Sequence, residues 1–207
     1  MRLFQQSQGD SVKKIGVLAL QGAFAEHITL LLSLGVEASP IRLPRELEGL
    51  DGLIIPGGES TTISRLMREY ALSAPLRDLC NDGFPIMGTC AGMILLARKV
   101  AHINGIQPLE AMDIEVRRNA FGRQVDSFET ELKIPVIGEP SFHSVFIRAP
   151  YIERAGEGVE VLARLYDGTG VAARQGNMLA LAFHPELADD PRLHSYFLSI
   201  VNGDSKR

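Results

Sequence analysis

Short apolar runs and amphipathic segments alternate through the first half of the chain, and this alternation constrains the fold more than any other feature. The apolar run 15–20 predicts a strand buried on both faces, and the pattern over 24–34 predicts a helix that ends at Gly35. Such alternation predicts a flavodoxin-like α/β fold of three layers, in which helices cover both faces of a mostly parallel sheet. The order recurs with expected strands at 36–43, 52–55 and 86–88 and expected helices at 60–70, 74–81 and 91–100, with Ser60 as the expected N-cap of the second helix.

The second half of the chain consists of strand-like pieces separated by turns, which predicts an antiparallel extension of the same sheet. A helix over 192–201 is expected to close the chain. We interpret residues 1–13, which are polar and unpatterned, as a flexible leader, and residues 14–203 as a single domain. The expected strands lie at 113–116, 131–134, 145–149, 159–166, 171–174 and 178–183.

Composition narrows the expected partners and compartment. The formal net charge of -4 provides no polybasic surface for nucleic acid or anionic lipid, so a small solute or another protein is the expected partner. No apolar run approaches the roughly 18 residues of a membrane span, and the N-terminus lacks the apolar centre of a secretory signal, so we expect a cytoplasmic protein without membrane contact. The two cysteines, Cys80 and Cys90, fit a reducing compartment and show no metal-ligand spacing.

The segment GTCAGM at 88–93 has the G-x-C-x-G spacing of a nucleophile elbow, in which a tight strand-to-helix turn lifts a side chain above a sheet. Side chains two residues before and after the nucleophile would crowd such a turn, and the nucleophile itself is expected in an unfavourable backbone region. A helix N-terminus at this position stabilises a thiolate. Cys90 is therefore predicted to be a reactive nucleophile, whereas Cys80, within a short helix, is predicted to be buried and inert.

His184 is the histidine best placed to assist Cys90. It follows the apolar strand 178–183 and is joined to Glu186 through one proline; in an extended chain, residues two apart project to the same side. Glu186 is then expected to fix the tautomer of His184 and to leave the other ring nitrogen for Cys90, as in a catalytic triad. The remaining histidines are expected to be surface or partly packed residues, namely His27, His102, His143 and His194.

A third motif, PGGES at 56–60, also lies between an expected strand and an expected helix. Because the carboxyl ends of parallel strands meet at one edge of a sheet, this loop and Cys90 are expected to share a crevice. An N–H group of the Gly57-Gly58 stretch, together with that of Ala91, would form an oxyanion hole. A phosphate-binding loop is the alternative, but no Gly-Lys-Ser or Gly-Lys-Thr follows.

Together, PGGES, GTCAGM and FHPE resemble the class I, or triad, glutamine amidotransferases in residue type, spacing and chain order. Further segments resemble the glutaminase subunits of pyridoxal 5'-phosphate synthase, and this likeness extends over residues 14–201. These segments are LQGAFAEH at 20–27, PGGESTT at 56–62, RNAFGRQVDSFE at 118–129 and FIRAP at 146–150.

The resemblance implies hydrolysis of L-glutamine to L-glutamate and ammonia through a cysteine thioester, with Cys90, His184 and Glu186 as the triad. Ammonia would pass through the protein interior to a separate (β/α)8-barrel synthase subunit, which makes the pyridoxal 5'-phosphate. The chain itself would hold no cofactor or metal and would be poorly active until docked to that subunit. The positions that match glutamine-binding residues of the family are Gly58, Glu59, Ser60, Arg118, Ile147 and Arg148.

An arginine suits the α-carboxylate of glutamine and Glu59 its α-ammonium group, but Arg117 beside Arg118 leaves the choice of arginine open. The same residues allow three other functions: a cysteine peptidase or chaperone-like protein, a non-catalytic regulatory subunit, and the glutaminase of a complex for guanylate, anthranilate or imidazole glycerol phosphate. The His-Pro-Glu segment argues against the first, and the intact triad argues against the second. The RNAFGRQVDSFE segment discriminates against the third.

Overall fold

The computed structural model describes residues 12–101, 105–118 and 127–204, and this part of the chain contains twelve strands and five α-helices. The strands are β1 Lys14–Leu18, β2 Glu37–Ile41, β3 Gly52–Ile55, β4 Ile86–Thr89, β5 Ala97–Ala101, β6 Met112–Arg117, β7 Ser127–Leu132, β8 Phe142–Ile147, β9 Tyr151–Ala155, β10 Glu160–Arg164, β11 Gly170–Gln175 and β12 Met178–Leu181. The helices are α1 Phe24–Ser33, α2 Ser60–Glu69, α3 Ser73–Asn81, α4 Ala91–Leu96 and α5 Arg192–Val201, and short 3-10 helices occupy Pro44–Leu47, Pro135–Ile137 and Pro185–Leu187.

Ten strands form one sheet in the order β2-β1-β3-β4-β12-β11-β9-β6-β5, with β10 paired to β11. Strands β2, β1, β3, β4 and β12 run parallel to one another, whereas β11 pairs antiparallel with its three neighbours. The prediction of a mostly parallel sheet flanked by helices, with an antiparallel extension, is confirmed. Because the parallel strands share one direction, the loops that follow β1, β3, β4 and β12 meet at the same edge of the sheet.

The parallel strands are continuously apolar because both of their faces are covered. Every residue of β3 and β4 is buried, as is every residue of β1 after Lys14. On the sheet, α2 packs against α4, and α1 meets α5 through a hydrogen bond between His27 and His194. Helix α1 ends as predicted, since Gly35 follows its last turn with a φ of 81°.

The helix expected over 91–100 ends at Leu96, so the second part of that prediction is wrong. The residues Ala97–Ala101 form strand β5, which pairs parallel with β6. An ion pair across the two strands helps to hold this segment extended, because Lys99 Nζ lies 2.7 Å from Glu115 Oε1. The periodicity of the segment could not reveal a partner that belongs to another strand.

Strands β7 and β8 form a two-stranded ribbon and, within the described residues, pair with no other strand. The expectation that the segments at 131–134 and 145–149 extend the main sheet is therefore wrong. The ribbon is held by packing instead, with the ring of Phe146 5.4 Å from that of Phe183, two residues after β12. Strand β9, between β6 and β11, was not expected from the sequence.

The longest described helices contain ten residues, and none of the described helices could span a bilayer, which takes roughly 20 apolar residues.

Candidate active site

Cys90 occupies the turn between strand β4 and helix α4. Its backbone angles, φ 48° and ψ -101°, lie in a region that residues other than glycine rarely adopt, and such strain is concentrated at functional positions. The N–H of Cys90 donates a hydrogen bond to the carbonyl of Leu181 at 2.8 Å, so the neighbouring strand β12 fixes the turn. The thiol is thereby held at the N-terminus of α4, at the carboxyl edge of the sheet.

Gly88 and Gly92 make this turn possible because the surrounding backbone packs too closely for side chains. A Cβ atom on Gly88 would lie 2.6 Å from the carbonyl carbon of Gly92. A Cβ atom on Gly92 would overlap the carbonyl oxygen of Ile55 in the adjacent strand β3. The glycine spacing of the motif thus has the steric cause that the sequence suggested.

His184 approaches Cys90 from the loop that follows β12. Its Nδ1 lies 2.7 Å from Glu186 Oε1, both side chains are largely buried, and the imidazole lines the same cavity as Cys90. The extended chain that we expected between His184 and Glu186 is wrong, because Pro185–Leu187 forms a 3-10 turn. That turn still brings the carboxylate onto the imidazole, and it leaves the other ring nitrogen for the thiol.

The surroundings of His184 favour its protonated form. Burial lowers the pKa of the imidazole, but interactions with the side chains of Cys90 and Glu186, together with the charges of those two groups, outweigh burial and raise the pKa to about 10. His184 therefore carries a proton at neutral pH, next to the sulfur. The prediction that Cys80 is buried is confirmed, and burial raises the pKa of its thiol to about 12, which keeps that sulfur protonated.

The PGGES loop lies against the ring of His184. Gly57 is buried there, and a Cβ atom on it would overlap the imidazole. The loop is fixed from the segment after β1: the carbonyl of Gly57 accepts a hydrogen bond from the N–H of Ala23 at 3.2 Å, and the N–H of Glu59 donates one to Gln21 Oε1 at 2.7 Å. Sequence reasoning did not select Gln21, although its place at the carboxyl end of a parallel strand was a usable signal.

A cavity of about 220 Å³ opens in front of Cys90 and His184, a volume suited to a small metabolite. Gln21 and Ile94, which the sequence did not indicate, contribute to its wall. Gly57 and Ala91, two of the expected oxyanion-hole residues, are not part of that wall. All six positions that the family resemblance assigned to glutamine line the cavity, namely Gly58, Glu59, Ser60, Arg118, Ile147 and Arg148.

The N-cap of α2 is Glu59, so the expectation that Ser60 fills this position is wrong. The Glu59 carboxylate accepts hydrogen bonds from the N–H groups of Thr61 and Thr62, which its longer side chain can reach while its charge faces the positive end of the helix. Burial opposes ionisation, but the hydrogen bonds from both threonines prevail and lower the pKa of Glu59 to about 2. An anion therefore stands at the rim of the cavity, 3.5 Å from Arg118 Nη2.

The two neighbouring arginines have different surroundings. Arg117 forms an ion pair with Glu153, whereas Arg118 lines the cavity together with Arg148. Arg148 has a positive φ of 43°, a second strained position in the wall. Residues 119–126, most of the RNAFGRQVDSFE segment, lie outside the described residues.

Two histidines that were predicted to be surface or partly packed residues are fully buried. His27 and His194 lie side by side behind the triad, with 2.8 Å between His27 Nδ1 and His194 Nε2. The sequence could not show this, because each partner of the pair comes from a different helix. His143 is exposed, as predicted, and His102 lies outside the described residues.

Comparison with known proteins agrees with this geometry. The SNO glutamine amidotransferase family matches residues 17–202. The pyridoxal 5'-phosphate synthase subunit PdxT of Dehalococcoides mccartyi is 57% identical over 189 residues, which cover 91% of this chain and 97% of that protein. PdxT of Moorella thermoacetica is 59% identical over 189 residues, covering 91% and 99%. A solved structure described as a glutamine amidotransferase gives a TM-score of 0.86 at 52% identity, covering 91% of this chain and 98% of the other.

A cysteine elbow on a mostly parallel sheet, with an imidazole beside it and a carboxylate hydrogen-bonded behind that imidazole, is the arrangement of a thiol-dependent amidotransferase. The similarity extends over most of the chain and is not confined to the motifs. The chain belongs to the SNO glutamine amidotransferase family, as the motif resemblance indicated.

Proposed function

We propose that this protein is the glutaminase subunit of a pyridoxal 5'-phosphate synthase and hydrolyses L-glutamine to L-glutamate and ammonia. The observation that carries the proposal is the meeting of Cys90 and His184 on one wall of a small cavity, with Glu186 hydrogen-bonded behind the imidazole. The PdxT relatives, which are named as subunits of this synthase, support the same assignment.

In the first half of the reaction, the Cys90 thiolate attacks the side-chain amide carbon of glutamine. A carbon–sulfur bond forms, and the carbonyl oxygen becomes the anion of a tetrahedral intermediate. The protonated His184 then donates its proton to the amide nitrogen. The carbon–nitrogen bond breaks, ammonia leaves, and a γ-glutamyl thioester remains on Cys90.

In the second half, His184, now neutral, accepts a proton from water as the water oxygen attacks the thioester carbon. The carbon–sulfur bond breaks, glutamate is released, and the thiolate and imidazolium are restored. Glu186 keeps its hydrogen bond to Nδ1 throughout, so that one face of the ring always serves the reacting atoms.

For the oxyanion, we assign the N–H groups of Gly58 and Ala91. Gly58 lines the cavity, and Ala91 is the first residue of α4, where an N–H group has no acceptor within the helix. The position of Gly57 beneath the His184 ring favours Gly58 over it for this role.

For substrate binding, we assign the charged groups at the cavity rim to the two ends of the amino acid. Arg118 and Arg148 suit the α-carboxylate, because a guanidinium offers paired donors to a carboxylate. Glu59, which stays ionised far below neutral pH, suits the α-ammonium group. Ser60 and Ile147 would complete the wall along the substrate chain. A cavity of this size favours a single amino acid over the extended peptide that a peptidase would need.

Ammonia released in this cavity is proposed to pass to a synthase subunit, expected to be a (β/α)8 barrel, without entering bulk water. In water most of it would be protonated and unreactive, so protected transfer is chemically advantageous. No bound cofactor is proposed for this chain. The net charge of -4 supports neither nucleic acid nor an anionic membrane as a partner. We also propose a cytoplasmic location.

Release of ammonia and glutamate from glutamine, measured with and without the synthase subunit, tests this function. We expect the partner to raise the activity, Cys90→Ala to abolish it, and Cys80→Ala, the matched control, to retain it. Turnover by the Cys90→Ala protein, or a peptide hydrolysed in preference to glutamine, would reject the proposal.

A further inference from the structure

A buried pair of histidines, His27 and His194, lies directly behind Glu186. Neither histidine has a role in the reaction described above. His27 belongs to α1 and His194 to α5, and neither is exposed at all. His27 Nε2 lies 3.3 Å from Glu186 Oε2 and 3.3 Å from Thr89 Oγ1, while its Nδ1 lies 2.8 Å from His194 Nε2. The line of polar contacts that starts at the nucleophile therefore continues inward through two more imidazoles.

The unpartnered atoms decide the tautomers of this pair. If His27 Nδ1 donated to His194, the proton of His194 would sit on its Nδ1, which has no hydrogen-bond partner among the described residues. The bare Nε2 of His27 would then face the carboxylate of Glu186. Both consequences are costly in a buried site. In the opposite arrangement, His194 Nε2–H donates to His27 Nδ1, and the proton of His27 lies on Nε2, which is hydrogen-bonded to Thr89 Oγ1 and lies 3.3 Å from Glu186 Oε2, an atom with no hydrogen-bond partner among the described residues.

Both imidazoles are held neutral. Burial, and then the charges of His194 and His184, keep the pKa of His27 well below its usual value, and burial lowers the pKa of His194 to about 4. A neutral His27 presents the partial positive charge of its ring N–H to Glu186 without placing a second full positive charge near the protonated His184. The negative charge of Glu186 thus remains available to His184.

We propose that His27, oriented by His194, is a positioning residue of the glutaminase reaction, whose Nε2–H lies 3.3 Å from one oxygen of Glu186 and stabilises the carboxylate with its other oxygen aimed at His184. This inference deepens the proposed function and rests on it. Residues that hold a functional group from behind usually alter rate without touching substrate.

Removal of the imidazole in His27→Leu takes away the nearest donor to Glu186 Oε2. We expect kcat to fall about 10- to 100-fold, the usual effect of losing such a supporting contact. The KM for glutamine should stay unchanged, because His27 is not part of the cavity wall.

The pH profile should move as well. With Glu186 no longer held in place, its hydrogen bond and charge raise the pKa of His184 less, so the ring loses its proton at lower pH and the basic limb of kcat/KM shifts to lower pH. The titratable groups that face Glu186 are His184 from its own turn, His27 from α1 with His194 of α5 behind it, and Glu26 of α1, which lines the same surface groove as Glu186. Only His27 is changed in this variant.

Matched variants separate the hydrogen bond from packing. His27→Gln keeps an N–H donor at about the reach of Nε2 and should recover most of kcat and the original basic limb. His194→Gln should likewise resemble the unchanged protein, whereas His194→Leu, which no longer orients His27, should lower kcat in the same direction as His27→Leu. All are assayed with the synthase subunit, alongside thermal unfolding. Equal losses in the Gln and Leu variants would overturn the proposal.

A direct measurement on the unchanged protein does not depend on any variant folding. Long-range 1H–15N spectra of the histidine rings should show His27 and His194 neutral at pH 7, each with its proton on Nε2. A proton on Nδ1 of His27 would overturn the assignment. If the unchanged protein with its synthase subunit releases no ammonia, the proposed function fails; if it is active and His27→Leu matches it in kcat and pH profile, the positioning role alone fails.

Discussion

Single glycine positions determine how closely the reacting groups of this site can approach one another. Gly88 and Gly92 let the elbow backbone pass next to β3 and α4, and Gly57 lets the imidazole of His184 rest on the PGGES loop. At the first two positions an added Cβ atom would meet backbone, which cannot move aside. At Gly57 it would meet a side chain, so the fold can survive while the geometry changes.

Replacing Gly57 with alanine is therefore expected to displace the His184 ring without unfolding the protein. Because a shift of about 1 Å in a reacting group can cost on the order of 100-fold in rate, we expect a fall of that size in kcat. Steady-state glutaminase kinetics with the synthase subunit, together with thermal unfolding, measure both effects. Gly170→Ala is the matched control, since its Cβ atom would have no neighbour closer than 3.4 Å. A Gly57→Ala protein with unchanged kcat would contradict this account.

The residues that could be anticipated from the sequence are those whose chemistry is written locally. Cys90 has glycines two positions away on each side, and Glu186 is two residues from His184. The geometry of each motif can therefore be predicted from residues that are adjacent in the sequence. His27, His194 and Gln21 escaped prediction because their partners come from other helices and loops. No local pattern distinguishes a histidine buried against a carboxylate from one on a helix surface.

At the scale of elements, the residues at the start of helix α2 both stabilise the helix and form part of the cavity wall. Glu59 caps the helix and also stands beside Arg118, so one carboxylate supports both a backbone terminus and a charged wall. The sequence predicted the helix correctly but assigned its cap to the neighbouring serine, because Ser is a favoured cap and Glu is not. Strand β5 was wrongly predicted as part of a helix. Its pairing with β6, which the local sequence does not reveal, outweighs the helical pattern of the segment.

Separate variants should divide the two tasks of Glu59. Glu59→Ala removes the cap and is expected to lower the free energy of unfolding by about 1 kcal/mol, and the loss of the anion should raise the KM for glutamine. Glu59→Asp provides a favoured cap again and should restore stability, but its shorter side chain should leave KM raised. Urea unfolding and glutaminase kinetics measure the pair. The same KM in all three proteins would rule out a substrate role for this carboxylate.

At the scale of the whole molecule, the parallel half of the sheet collects the site at one edge. The loops after β1, β3, β4 and β12 supply Gln21, the PGGES loop, Cys90 and His184, and the β7–β8 ribbon adds Ile147 to the wall. The class of fold followed from the alternation of patterns along the chain. The separate ribbon did not, because strands that alternate in the same way can join the main sheet or stand apart from it.

The expected domain of residues 14–203 contains every group that we assign to the reaction. Deletion of residues 1–11 is accordingly expected to change neither the melting temperature nor the glutaminase activity measured with the synthase subunit. Differential scanning calorimetry and ammonia release on the shortened and full chains make the comparison. A loss of activity on deletion would show that the domain boundary is wrong and that the leader takes part in docking or catalysis.

The unequal environments of the two thiols have a practical consequence. Cys80 is buried among apolar side chains, and its thiol stays protonated. Cys90 lines the solvent-accessible cavity, beside the protonated imidazole of His184. A small alkylating dye should consequently attach to the native chain in a one-to-one ratio. The dye incorporated per mole would then give the active fraction of any preparation, and glutamine should slow its uptake by occupying the same space.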